Sequence, residues 1–407
     1  MSARTSRSRN STASSPGPGA DMPRVCFVTL SRSDYASLRP VALAALADPA
    51  IDLRLIAGGS HALARYGNTL EQIRQDGLPL HAVARFLRAT DDSPSELAAA
   101  YARAVTQFAR ILGRQQPDYV FVIGDRWEML AVVSAASMLQ IPIVHHSGGD
   151  ITQGSADNQT RYALSALSHL HLVALPEHRE RLLRMGEQDW RVITTGEPAL
   201  TALADHARLR PGIHGRLGLT PGEPFVLATF HPTSFDAAPP ERQVEVFLQA
   251  LDGIRSAIVL TAPNPDPASA LFLARYRAYA DAHPRVRLHH SLGTQHYYAA
   301  MAQAQYMIGN SSSGIWESAS LRLPVVDIGP RQQGRVHGDN VLHCALEPQA
   351  IAAAIARATD PALRASLDGK NPYVRPDTLA LIVDSLKHPW DRARLLAKRF
   401  VDPLAPH

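Results

Sequence analysis

The chain alternates short apolar runs with longer stretches of helical period. The runs "RVCFVTL", "DLRLIAG", "DYVFVIG", "IPIVHH" and "LHLVA" come first, most of them followed by an amphipathic stretch. Brief apolar strands separated by helices predict a parallel sheet covered by helices on both faces. A polar, Pro/Gly-containing stretch, "ADHARLRPGIHGRLGLTPGEP", interrupts the series. A second series then begins with "FVLATF" and continues through "SAIVLTA", "VRLHH", "AQYMIG" and "LPVVDIG". The expected fold class is therefore α/β, with two Rossmann-like domains. Residues 23–204 form the first and residues 205–380 the second, and residues 381–407 are expected to form a C-terminal helix that returns to the first.

Composition narrows the function. With 407 residues and 45% hydrophobic content, the chain has material for two real cores, and 19% charged residues is ordinary for a globular protein. Of the net charge of +4, Arg4, Arg7 and Arg9 against Asp21 place half in the first 22 residues, so no nucleic-acid partner is implied. That leader, "MSARTSRSRNSTASSPGPGADM", lacks an apolar segment and reads as a disordered tail, with Met22 an alternative start. Its Arg/Ser-rich, acid-poor composition also fits a transit peptide, the lesser reading. The longest apolar run, "MLAVVSAASMLQIPIV", is too short and too broken to cross a bilayer. Two cysteines, Cys26 and Cys344, supply neither a disulfide framework nor a metal cluster, which fits a reducing cytoplasm.

The chemically suggestive residues sit just beyond strand ends, where open α/β sheets bind ligands. Asp125 and Arg126 follow "VFVIG", His145 to Asp150 end or follow "IPIV", His231 follows "FVLATF", Asn264 and Asp266 follow "IVLTAP", and Ser311 to Ser313 follow "QYMIG". A shared interdomain cleft is the economical reading. No Walker loop occurs, and no "GxGxxG" opens a helix after the first strand, so ATP and nicotinamide have little support. The zinc-protease motif is absent too. In "GNSSSGIWES", a Gly/Ser turn between strand and helix offers N–H groups and hydroxyls suited to a diphosphate, and Glu317 could accept from a ribose diol. Taken alone, the serines would serve equally as helix caps.

The stretch does not stand alone. Together with "SRSDY", "GGSHALARYGNT", "GDRWEML", "TFHPTS" and "TAPNPD", the block "GNSSSGIWESASLRLPVVDIGPRQQGRVHGDN" resembles the hydrolysing UDP-N-acetylglucosamine 2-epimerase family, from about Arg24 to the C-terminus. The resemblance implies a GT-B fold whose two parallel sheets face an interdomain cleft holding a UDP-sugar. It further implies a homodimer or homotetramer and release of UDP with a free N-acetylmannosamine-type sugar, a feedstock for sialic or legionaminic acid-like nonulosonates. In that chemistry the C2 proton and the C1 diphosphate leave to give a glycal, and water adds from the other face. Carboxylates serve as base and acid. No metal or cofactor is required.

By resemblance, the expected catalytic set is Asp125, the sugar-facing aspartate, Asp150, in place of a common glutamate, Asp157, a second acid, and His231, a nucleotide-sugar contact. Helix capping is the competing reading for Asp125 and Asp157. The expected substrate-binding set is Arg32, His61, Arg161, Asn264, Asp266, Ser311, Ser312, Ser313, Gly314, Glu317, Arg331 and Arg335, with Gln332 in the same "RQxGR" loop. Asp34 reads as structural. The sequence departs from the family where Ser147 replaces an acid or histidine, Gln153 a glutamate and Asn158 an acid. These departures leave three outcomes open: Asp150 takes over a proton transfer, the sugar differs, or activity is lost. The sugar could then be a UDP-2,4-diacetamido-2,4,6-trideoxyhexose. A GT-B glycosyltransferase and a silent nucleotide-sugar binder remain the alternatives from other classes.

Overall fold

The computed structural model describes residues 22–402 apart from 68 and 265. Of the leader read from residues 1–22, residues 1–21 lie outside the described residues. Among the described residues, thirteen strands form two sheets, all of whose pairings are parallel. The first contains β1 (Arg24–Thr29), β2 (Asp52–Gly58), β3 (Leu80–Ala84), β4 (Tyr119–Ile123), β5 (Ile143–His146), β6 (Leu170–Val173) and β7 (Val192–Thr194), in the order β3-β2-β1-β4-β5-β6-β7. The second contains β8 (Phe225–Thr229), β9 (Ala257–Thr261), β10 (Val286–His289), β11 (Met307–Gly309), β12 (Val325–Ile328) and β13 (Val341–Cys344), in the order β10-β9-β8-β11-β12-β13. In each sheet the strand order reverses direction beside the first strand of the series. The crevice opened there, at the carboxyl ends, is the usual ligand position.

Period-two alternation explains how each strand feeds two cores. Val25 and Phe27 pack on one face of the first sheet with Phe121 and Leu170, whereas Cys26 and Val28 pack on the other with Val120 and Phe108. Phe225 and Leu227 against Val226 and Ala228 repeat the pattern in the second sheet. Each such Val, Leu or Phe contributes roughly 1.5–3 kcal/mol through burial. All ten apolar runs of the sequence form strands. The three strands without a recognised run, β3, β7 and β13, are sheet edges.

The C-terminal segment packs on the first half. Ile382, Val383 and Leu386 of the helix Thr378–Lys387, with Leu395, enter the core formed by Val25, Phe27 and Leu38. Arg191 donates to the carbonyls of Leu395 and Arg394 at 2.9 Å each, and Lys398 donates to those of Ser165, Ala166 and Ser168 at 2.8–3.1 Å.

The halves also touch directly across the cleft. The Gln153 and Gly154 amides donate to the carbonyls of Gln333 and Pro330, both at 3.1 Å, and the Phe235 amide donates to Gly154 O at 3.1 Å. Gly154 is required by this approach, since a Cβ there would lie 2.5 Å from the Pro330 carbonyl carbon and 2.8 Å from the Arg331 nitrogen. Gly154→Ala is expected to oppose this apposition by ~1–3 kcal/mol. Activity should then fall by roughly one to two orders of magnitude while the two sheets stay folded, a result that paired steady-state rates and circular dichroism would check.

Candidate active site

One cavity lies between the carboxyl ends of the two sheets. The first half lines it with Arg32, His61, Asp125, Arg126, Glu128, Ser147 and Asp157. The second half contributes His231, Asn264, Tyr297, Ser311 to Ser313, Glu317, Arg331 and Arg335. Asp150, Arg161, Asp266 and Gly314 of the expected set are not on its wall.

Asp125 follows the turn that ends β4, and the helix Trp127–Met138 is capped by extended Arg126. Asp125 is thus not the cap, and its carboxylate is available to the cleft. It pairs with Arg161, and the Arg335 guanidinium lies at 4.0 Å. Burial would raise its pKa, but Arg161 and Arg335 outweigh burial and hold the carboxyl below its ordinary range. Asp157, in the first turn of the helix Asp157–Leu167 after the cap Ala156, has the opposite fate. Burial first, then the charge of Asp125, pushes it up to about 6 against the pull of Arg126. Two carboxyls of one cavity are therefore driven toward opposite protonation states, the pattern expected of an acid and a base.

Arg161 is fully buried and donates to Asp150 O at 2.9 Å, Asn158 Oδ1 at 3.1 Å, Thr152 Oγ1 at 3.0 Å and the Asp125 carboxylate. Its terminal nitrogens are committed to the protein, so it holds Asp125 and does not reach a ligand, contrary to the sequence expectation. Asp150 likewise faces inward. It meets Arg335 at 2.8 Å and His178 at 3.4 Å and accepts from the Ile151 amide at 2.8 Å. Burial notwithstanding, Arg335 and His178 keep it far below the usual carboxylate range, so it remains ionised and positions Arg335 instead of exchanging a proton. Asp266 is occupied by Arg126 at 2.7 Å and Arg331 at 3.8 Å. Gly314 packs against β12, where a Cβ would come within 2.9 Å of Val325 Cγ1.

His231 is buried, and its Nδ1 accepts the Asn264 amide at 3.0 Å. That bond fixes the tautomer with hydrogen on Nε2, and burial with nearby Arg331 lowers the ring pKa to about 3. The neutral ring is thereby a donor at Nε2. His61 is also neutral, lowered by burial to about 3, and sits between Thr29 Oγ1 at 2.9 Å and Thr69 Oγ1 at 2.6 Å. Arg32 bonds the His290 carbonyl across the cleft, and burial lowers its pKa only to about 10, so it stays cationic. Asp34, read as structural, accepts from Thr29 Oγ1 and from the Leu30 and Ser31 amides, and it also lines the cavity.

Ser311 to Ser313 form a polar lip above Asn310, whose carbonyl accepts Arg331 at 3.2 Å and Gln332 at 2.7 Å. The helix they open, Ser313–Trp316, is one turn long, so the helix dipole expected there is minor and the hydroxyls carry the polarity. Glu317 follows, 4% exposed. Of the three departures from the family, only Ser147 lines the cavity, with φ of 85°, a strained value for a non-glycine residue. Asn158 Oδ1 accepts the Thr152 amide and Arg161, and the Gln153 side chain is exposed. Sequence reasoning missed Glu128, Tyr297 and the cross-cleft pairing of Arg126. Glu128 and Tyr297 lie inside helical periods where they pass for ordinary face residues, and the partner of Arg126 lies 140 positions away.

Two substitutions follow from these placements. Removing the buried partner of Asp125 with Arg161→Met should lower stability by about 3–5 kcal/mol, measurable by urea titration. Gln153→Glu should leave turnover within about twofold of wild type, because an exposed charge outside the cavity has little desolvation to overcome.

The family model described as UDP-N-acetylglucosamine 2-epimerase matches residues 44–387. A Legionella pneumophila protein named UDP-N,N'-diacetylbacillosamine 2-epimerase (hydrolyzing) is 33% identical over 320 residues, 78% of this chain and 84% of that one. A Campylobacter jejuni protein named GDP/UDP-N,N'-diacetylbacillosamine 2-epimerase (hydrolyzing) is 31% identical over 322 residues, 78% of this chain and 83% of the relative. The crystal structure of UDP-GlcNAc 2-epimerase from Neisseria meningitidis bound to UDP-GlcNAc superposes with a TM-score of 0.75 at 17% identity, covering 89% of this chain and 99% of that one. The fold is thus the GT-B arrangement, and the chain belongs to the UDP-N-acetylglucosamine 2-epimerase family.

Proposed function

We propose that the protein is a hydrolysing 2-epimerase of a UDP-linked 2,4-diacetamido-2,4,6-trideoxyhexose, releasing UDP and the free 2-epimer for nonulosonate biosynthesis. The observation that carries this reading is the pairing, in one cavity, of ionised Asp125 beside raised Asp157 with the Ser311–Ser313 lip and Glu317 opposite. The names of the relatives at 33% and 31% identity favour the diacetamido sugar. UDP-N-acetylglucosamine, the sugar of the family description, is the second reading.

In this reading the nucleotide rests on the second half. Glu317 meets the ribose, Ser311 to Ser313 and Arg331 hold the diphosphate, and the Nε2 proton of His231 donates to an oxygen of the departing phosphate. The sugar faces the first half. One carboxylate takes the C2 proton as the C1–O bond breaks and the C1–C2 double bond forms. Water then gives hydroxide to C1, while a proton returns to C2 on the opposite face. Asp125 suits the base and Asp157 the group that cycles its proton, with Arg161 and Arg335 keeping the base ionised. A homodimer or homotetramer is part of the same proposal, and a light-scattering mass near the 44.2 kDa of one chain would count against it.

Incubation with each UDP-sugar and no acceptor is the decisive assay, with UDP and the sugar epimer as readouts. Release of UDP with a 2-epimerised sugar is expected. Turnover only with an acceptor would identify a glycosyltransferase, and binding without turnover a silent binder. Asp125→Asn should lower UDP release by about 10²–10⁴-fold while UDP affinity stays close to wild type. Arg335→Gln should move the acid limb of the pH–rate profile upward by on the order of one unit. Loss of that cation raises the Asp125 pKa, so the base form disappears at higher pH.

A further inference from the structure

Glu317 lines the cavity, and it forms no ion pair among the described residues. Its Oε1 accepts the Tyr298 hydroxyl at 3.3 Å, and its Oε2 is buried with no hydrogen-bond partner among the described residues. The groups facing it come from three elements. Tyr297 and Tyr298 project from the helix Thr294–Gln303, Glu197 precedes the 3-10 segment Pro198–Asp205, and Arg335 comes from the loop after β12. Glu197 is a second carboxylate, already accepting Ser37 Oγ at 2.6 Å and the Ala199 amide at 3.2 Å. Arg335 is stacked 4.6 Å from the Trp316 ring centroid and is drawn toward Asp150 at 2.8 Å.

An ionised carboxylate with one weak hydrogen bond and another carboxylate for a neighbour is poorly supported in a buried site. Burial, with Glu197 adding to it, pushes the Glu317 carboxyl up to about 7. A vicinal diol changes the balance, because two O–H donors stabilise the ionised form more than the neutral acid. We propose that Glu317 is protonated in the empty site and surrenders its proton when a ribose diol docks against it, so that nucleotide capture releases a proton. The Glu317 O–H bond breaks, buffer takes the proton, and the carboxylate accepts both ribose hydroxyls. The inference rests on the nucleoside position proposed above.

The sign follows from a free-state pKa above the bound-state one. Affinity is full above about pH 7 and weakens as pH falls below it. Uridine is the suitable probe, because it has the diol but no phosphate to titrate. Calorimetry near neutral pH in two buffers of different ionisation enthalpy is expected to show release of about half a proton per uridine bound. The uridine Kd should weaken on the order of tenfold or more between about pH 7.5 and about pH 5.5. Glu317→Gln should abolish both effects. On the wild-type protein, 2'-deoxyuridine should show little proton release, an arm that does not depend on the variant folding. Uridine binding with no proton release and a flat pH dependence would overturn the proposal while leaving the nucleoside position intact. Release that persists in Glu317→Gln would assign the proton elsewhere and overturn it too. Failure of uridine to bind at any pH would remove the nucleoside position and the proposal together.

Discussion

The cavity between the two halves depends on one buried guanidinium. Arg161 lies under the cleft with no exposed surface, and its terminal nitrogens hold Asp125 and the backbone of Asp150 at once. An unpaired charge at that depth would cost several kcal/mol, and ionised Asp125 is the carboxylate that pairs with Arg161 directly. Structural necessity and chemical readiness therefore coincide in a single ion pair. Burial is the first cause of the raised Asp157 pKa, and the negative charge fixed on Asp125 by Arg161 adds to it.

The second tier of charge crosses the cleft. Arg335 leaves the second half to reach Asp150 and approach Asp125, and Arg126 leaves the first half to reach Asp266. Neither half is electrically complete without the other. Asp150 and Asp266 fix these arginines, and both lie beside the cavity without lining it. The same division separates the two ends of the cavity. The first-half end is dense in paired charge, whereas the second-half end offers hydroxyls, a neutral histidine, Arg331 and Arg335, and a carboxyl that forms no ion pair among the described residues.

Much of this was legible in the sequence because interior strands are buried on both faces and read as unbroken apolar runs. Of the four edge strands, only β10 announced itself as an apolar run. β3 is only half-buried along "LHAVA", and β7 is only three residues long. Position along the chain located the cavity residues well, since strand ends converge in this fold. Orientation was not legible. Asp125, Asp150 and Asp157 are alike as letters, and only the packing of Arg161, Arg335 and His178 decides which carboxylate looks into the cavity. Gly314 shows the same limit: it lies inside the serine motif, yet its lack of a Cβ answers to Val325 behind it.

The return of the C-terminal segment sets an order on the chain's birth. The core around Val25, Phe27 and Leu38 is closed by Ile382, Leu386 and Leu395, more than 340 residues later. During synthesis at ~5–20 residues per second, the first half waits many seconds beyond its own emergence for the residues that seal it. Its closing contacts are of the long-range kind that fold slowly. The half of the molecule made first is thus the one finished last, and its exposed apolar face in the interval is where a nascent-chain chaperone would have most to cover.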